Sequence, residues 1–182
     1  MSRPSAPLHL FLPNQDATMK LGSSLVQVMR ALDTYPALLL DGALGAGKTT
    51  FVRGLIQALP GGDLAEVASP SFNYVNVYPT RPETLHFDFY RLQGQPLDDD
   101  LTSALNETDY FVVAEWACAL QPHDLPTPHL TIEFAMVSDG RAVTIKAEGD
   151  ASTLVLERLR EVLPETTILH DALQGGDPVC GS

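Results

Sequence analysis

The chain has 182 residues, 45% of them hydrophobic, and a net charge of −12 from 23 acidic and 11 basic side chains. That length and composition suit a folded domain with a sizeable core and exclude wholesale disorder. With lysine only at positions 20, 48 and 146, the chain is poorly equipped to grip nucleic acid through its phosphates. No apolar run reaches the roughly 20 residues that a bilayer span needs. The opening "MSRPSAPLHLFLPNQD" has too short an apolar stretch for a secretory signal, so a soluble, cytoplasmic protein with no membrane partner is expected. The two cysteines, Cys118 and Cys180, make no metal-ligand cluster.

In chain order, "LHLF" at 8–11 reads as a short strand. Asp16 is placed to cap a helix over 17–32, where Leu21, Leu25, Val28 and Leu32 share a face. "ALLLD" at 37–41 is a continuous apolar run, the mark of a strand buried on both faces. A glycine loop and a helix over 48–59 follow, closed by Pro60-Gly61-Gly62. "AEVAS" (65–69), "SFNYVNVY" (71–78) and "TLHFDFYR" (84–91) read as extended, the last two as an antiparallel pair. "PLDDDLTSAL" (96–105) predicts a short acidic helix, and "YFVVAEW" (110–116) a second buried strand. "HLTIEFAMV" and "RAVTIKAE" form a hairpin around Asp139-Gly140, followed by a helix over 152–163. The expected fold is α/β, a P-loop NTPase-like mixed sheet flanked by helices with antiparallel hairpin additions. A single domain is expected over 1–165, with a flexible tail over 166–182.

"GALGAGKTT" at 42–50 carries the chemistry. Gly42, Gly47, Lys48 and Thr49 satisfy G-x-x-x-x-G-K-[ST] in full, and the motif lies between a buried strand and a helix. Glycines let backbone N–H groups close on an anion without a Cβ in the way. The helix start adds unpaired donors and the positive end of its dipole. The phosphate-binding set is therefore Gly42, Leu44, Gly45, Ala46, Gly47, Lys48, Thr49 and Thr50. Lys48 reaches for the β- and γ-phosphates and Thr49 for Mg²⁺.

Such a loop needs a carboxylate from a neighbouring strand to hold the cation, directly or through water. Glu115 ends the run Phe111-Val112-Val113-Ala114, at the carboxyl end of a strand, where α/β ligands sit. Asp88 is the second candidate. Strand alternation puts His86, Asp88 and Tyr90 on one face and Leu85, Phe87 and Phe89 on the other. The polar face meets either a nucleotide or water. His86 and Asp88 could flank a metal, although His-x-Asp more often marks a solvated histidine. Ser69, Ser71 and Thr50 offer hydroxyls. Trp116, the only tryptophan, either stacks near the nucleotide or packs. Asp98, Asp99 and Asp100 are simplest as a solvated face.

"LGAGKTTFVRG" (44–54), "SPSF" (69–72), "HFDFYRL" (86–92) and "AEW" (114–116), in this order and spacing, resemble the TsaE family over residues 15–160. The resemblance implies an ATPase of the bacterial machinery that makes threonylcarbamoyladenosine beside the tRNA anticodon. It implies binding of ATP and Mg²⁺, slow hydrolysis, and docking on the paired proteins TsaB and TsaD, with tRNA engaged only indirectly. By position it makes Thr49 and Glu115 magnesium ligands and Asp88 the acid required for hydrolysis, with Lys48 and Ser71 also at the reacting phosphate. Trp116 falls where the family keeps an aromatic close to the nucleotide. Ser71 replaces the usual threonine, Ala117 the usual proline, and "ALNETDY" a glycine-containing turn. The rival enzyme class, a small-molecule kinase, would need an arginine clamp, for which Arg91 and Arg53 are available. A nucleotide-sensing adaptor with incidental hydrolysis is the rival outside enzymes. A GTPase is excluded because no lysine sits in an N-K-x-D context.

Overall fold

The computed structural model describes residues 5–63, 65–70, 74–92 and 95–169. In chain order the elements are β1 (Leu8–Leu12), α1 (Gln15–Leu32), β2 (Ala37–Gly42), α2 (Lys48–Ala58), β3 (Val75–Tyr78), β4 (Thr84–Asp88), α3 (Asp99–Leu105), β5 (Phe111–Glu115), β6 (His129–Val137), β7 (Gly140–Glu148) and α4 (Asp150–Val162). All the strands join one sheet in the order β1-β7-β6-β2-β5-β4-β3. Its centre is parallel: β4 runs with β5, β5 with β2, and β2 with β6. Antiparallel strands close both sides, β3 against β4 and the β6–β7–β1 meander at the other edge. The expected mixed sheet with hairpin additions is what forms.

Strand alternation builds two cores. Leu38 and Leu40 of β2, Phe111 and Val113 of β5, and Leu130 and Ile132 of β6 pack with apolar residues of α1, α2 and α4. Ala37, Leu39, Val112 and Ala114 point the other way, onto Leu105 of α3 and onto Trp116, Ala117 and Leu120 after β5. A strand covered on both faces has no polar side to show, which is why β2 reads as an unbroken apolar run.

Three expectations are corrected. The cap of α1 is Asn14, whose side chain accepts from Ala17 N at 2.9 Å, and Asp16 sits inside the first turn. Residues 65–69 form no strand: Asn76 Nδ2 and Tyr78 Oη donate to the Ala68 carbonyl and an Arg53 guanidinium nitrogen donates to that of Val67, so side chains satisfy this backbone where a ladder was expected. β4 stops at Asp88 rather than running to Arg91, because the Asp88 carboxylate takes the Tyr90 N–H at 3.0 Å and turns the chain. Residues 166–169, at the start of the expected tail, run beside β1, with Ile168 bridged to Leu10 and Leu169 N donating to His9 O at 2.8 Å. Residues 170–182 lie outside the described residues.

Helices α1 and α2 cross almost backbone to backbone. A Cβ on Gly54 would stand 2.2 Å from Met19 O, and one on Gly22 would stand 2.6 Å from Phe51 O. Intrinsic propensity favours alanine over glycine in a helix by about 1 kcal/mol, but forcing atoms into a packed contact costs about 1–3 kcal/mol. Because the obstacle is backbone, packing wins. Gly54→Ala is expected to destabilise the protein by about 1–2 kcal/mol, measured as a lower urea midpoint with an unchanged slope.

Candidate functional site: the P-loop cavity

Parallel pairing brings the carboxyl ends of β2, β4 and β5 to one edge of the sheet, with Leu40 opposite Glu115 and Glu115 opposite Asp88. There the chain leaves β2 through residues 43–47 and enters α2 at Lys48. Gly47 caps the helix at φ 113°, a conformation L side chains rarely adopt. A cavity of about 510 Å³ opens at this edge, a size that suits small-molecule and cofactor sites.

Thr49 Oγ1 donates to Glu115, at 2.8 Å from Oε1 and 3.1 Å from Oε2. Glu115 is only 2% exposed, so it is no surface residue. His86 Nε2 lies 3.0 Å from Glu115 Oε1, and His86 is fully buried rather than solvated. Asp88 accepts a short hydrogen bond from Ser69 Oγ in addition to the Tyr90 N–H. Of the expected polar face, Asp88 lines the cavity and His86 is buried beside Glu115, while Tyr90, beyond the end of β4, lines the cavity and is half exposed.

Lys48 Nζ donates to the carbonyls of Gly42 at 2.6 Å and Ala43 at 3.1 Å, and stands 3.8 Å from the centre of the Trp116 ring. Burial pushes its pKa below the ordinary lysine value, while Glu115, Asp88 and Asp41 act the other way. Trp116 is in the left-handed region at φ 60° and is nearly buried. Its N–H extends the β5 ladder to Leu40 O, and Tyr90 lies across its ring at 4.9 Å. It thus faces the site and packs at once.

Of the residues expected to bind nucleotide, Leu44, Gly45, Gly47, Lys48, Thr49, Thr50 and Trp116 line the cavity, as do Asp88 and Glu115. Ala46 is buried, and its carbonyl accepts from Arg141 Nε at 2.8 Å. Gly42 contributes its carbonyl to Lys48. Ser71 lies outside the described residues. Sequence reasoning missed Gln15 and Arg141, which also line the cavity. Gln15 comes from the first turn of α1 and Arg141 from the β6–β7 hairpin, and no local motif marks either one. Arg91 lines the cavity, whereas Arg53 reaches the Val67 carbonyl at 3.4 Å.

Asp41 is tied to the segment after β5. Its carboxylate accepts from Cys118 N at 2.8 Å, in the short 3₁₀ turn Ala117–Ala119. Burial, and to a lesser degree Glu133, raise its pKa, while the Cys118 bond and Lys48 lower it, for a net rise.

Sheet order, the glycine loop feeding α2 and the acids at the strand ends define a P-loop NTPase-like protein. The solved structure of Bacillus subtilis YdiB has the same fold, with a TM-score of 0.66 at 24% identity over 88% of this chain and 98% of that one. The family model described as "Threonylcarbamoyl adenosine biosynthesis protein TsaE" matches residues 12–143. Proteins named tRNA threonylcarbamoyladenosine biosynthesis protein TsaE are similar to the chain. That of Rickettsia felis is 31% identical over 150 residues, covering 80% of this chain and 84% of its own. That of Treponema pallidum is 37% identical over 122 residues, covering 65% and 87%. The chain belongs to the TsaE family. Among the described residues, no helix is long and apolar enough to cross a membrane.

The raised pKa of Asp41 has a consequence for stability. The folded state holds this proton to a higher pH than the unfolded chain does, so stability from this group falls as pH rises from the ordinary carboxylate range through the raised value. Asp41→Asn keeps an oxygen for Cys118 N and removes that slope. In thermal melts, the melting temperature of the variant relative to wild type should rise as pH moves from acidic to neutral.

Proposed function

We propose that the protein binds Mg-ATP and hydrolyses it with low intrinsic turnover, within an ATPase domain spanning residues 1–165. It does so as the component of the tRNA threonylcarbamoyladenosine machinery that docks on the TsaB–TsaD complex. TsaD performs the carbamoyl transfer, and tRNA is met only through those partners. The observation that carries the reading is the meeting of Thr49 Oγ1 and the Glu115 carboxylate at 2.8 Å, beside the mouth of a P-loop. Two hard oxygen donors on separate elements, with no sulfur or imidazole needed to complete them, fit Mg²⁺. The bound ion would neutralise charge on the β- and γ-phosphates.

The chain's own groups then divide the work. The backbone N–H groups of residues 44–50 cradle phosphate at the start of α2. Lys48, held by two carbonyls and the Trp116 ring, has a flexible stem that lets Nζ turn from those carbonyls to a phosphate oxygen. Asp88, fixed by Ser69 and by the Tyr90 N–H, orients the attacking water, and Ser71 is proposed to act on the reacting phosphate with it. Trp116 bounds the site and limits water. A protein with 23 acidic and 11 basic side chains suits docking onto a tRNA-handling complex without gripping RNA itself.

Lys48→Ala should fold and lose measurable ATP binding in a calorimetric titration. Asp88→Ala should bind ATP and lose hydrolysis by about 100-fold or more, and Glu115→Ala should lose it through the cation. Turnover of the wild type should change on addition of TsaB and TsaD in a steady-state phosphate-release assay. Indifference to those partners combined with a requirement for a small phosphate acceptor would show a kinase instead.

A further inference from the structure

The site holds one buried polar side chain to which the proposed reaction gives no role. His86 is 0% exposed, one strand step before Asp88, and its Nε2 sits 3.0 Å from Glu115 Oε1. Its Nδ1 is buried and has no hydrogen-bond partner among the described residues. Glu115, ionised, only accepts, so a proton must lie on Nε2 for this contact to be a bond. The contact therefore has the Nε2–H donating to Glu115. An orphaned Nδ1 costs stability, because a buried polar atom left unsatisfied keeps its desolvation penalty. An apolar ring in the same slot would avoid that cost, so packing alone does not explain histidine here.

The ring is itself held. It stacks on Tyr78 at 6.2 Å between centroids with 26° between planes. The Tyr78 hydroxyl in turn donates to Ala68 O at 3.4 Å, next to the Ser69 that bonds Asp88. A glutamate has three side-chain torsions, and a cation ligand is useful only if they are fixed. Among the described residues, the Glu115 carboxylate has two hydrogen-bond partners, Thr49 and His86. Thr49 is a cation ligand in the reading above, which leaves His86 as the partner from outside the ligand pair.

We infer that His86 is a positioning residue: its Nε2–H fixes the Glu115 carboxylate in the orientation that receives the divalent cation. The inference rests on Glu115 being a cation ligand. Second-layer partners of this kind typically govern metal affinity by about 10–100-fold.

The test uses the full chain and three variants. His86→Phe keeps a ring against Tyr78 and removes the donor. His86→Gln restores an N–H donor at similar reach. His86→Asn is polar but too short, and serves if the phenylalanine variant fails to fold. ATP affinity is measured by calorimetry in EDTA and across a Mg²⁺ series, with Mn²⁺ binding followed by electron paramagnetic resonance. His86→Phe and His86→Asn should raise the half-saturating Mg²⁺ concentration about tenfold or more, with ATP affinity in EDTA unchanged. His86→Gln should return it to within about threefold of wild type. Wild-type Mg²⁺ affinity in the Phe and Asn variants, or a Gln variant no better than they are, overturns the inference. Glu115→Gln separates the two levels: if it also leaves Mg²⁺ affinity untouched, the metal role of Glu115 is wrong and the role of His86 falls with it. If it abolishes the Mg²⁺ effect while the His86 variants do not, only the inference about His86 is lost.

Discussion

The hydrogen bond from Thr49 to Glu115 joins two segments that are 66 residues apart in the chain. It is possible only because β2 and β5 run parallel and in register, so that the strand feeding the glycine loop and the strand ending in the acid finish at the same edge. Reversing either strand would send one partner to the opposite end of the sheet. The rest of the site depends on this alignment, since β4 pairs with β5 in a register that sets Asp88 beside Glu115. Burial then sharpens the contacts, because polar groups in a low-dielectric pocket interact more strongly and cost more if left unpaired.

The chain beyond β5 is handled with similar economy. Trp116 continues the ladder with its N–H and then adopts a left-handed conformation, which for a bulky residue is strained and needs surrounding support. Asp41 supplies some of it by accepting the Cys118 N–H. The result turns the indole back over Lys48. A cation held by two carbonyls and an aromatic face is restrained without being neutralised, although burial lowers its pKa.

Some of this was legible in local pattern and some was not. The unbroken apolar run of β2 announced burial on both faces, and the glycine, lysine and threonine spacing announced the phosphate loop. Residues 65–69 read as a strand by themselves, yet the carbonyls of Val67 and Ala68 are taken by side chains of Arg53, Asn76 and Tyr78. Asn14 and Asp16 are both good caps by residue type, and only the path of the chain out of β1 decides between them. His86 looked like a solvated histidine because nothing local reveals that a carboxylate 29 residues later will lie against it.

The sequence by itself determined the phosphate loop, the mixed α/β class and the family, because these rest on residue types at fixed short spacing and on hydropathy along single elements. Tertiary structure alone decided that Arg141 braces the loop through Ala46, that Gln15 borders the cavity, and that His86 holds Glu115. Those relations are set by strand order and register, which depend on how whole faces bury against one another. No window of neighbouring residues encodes them.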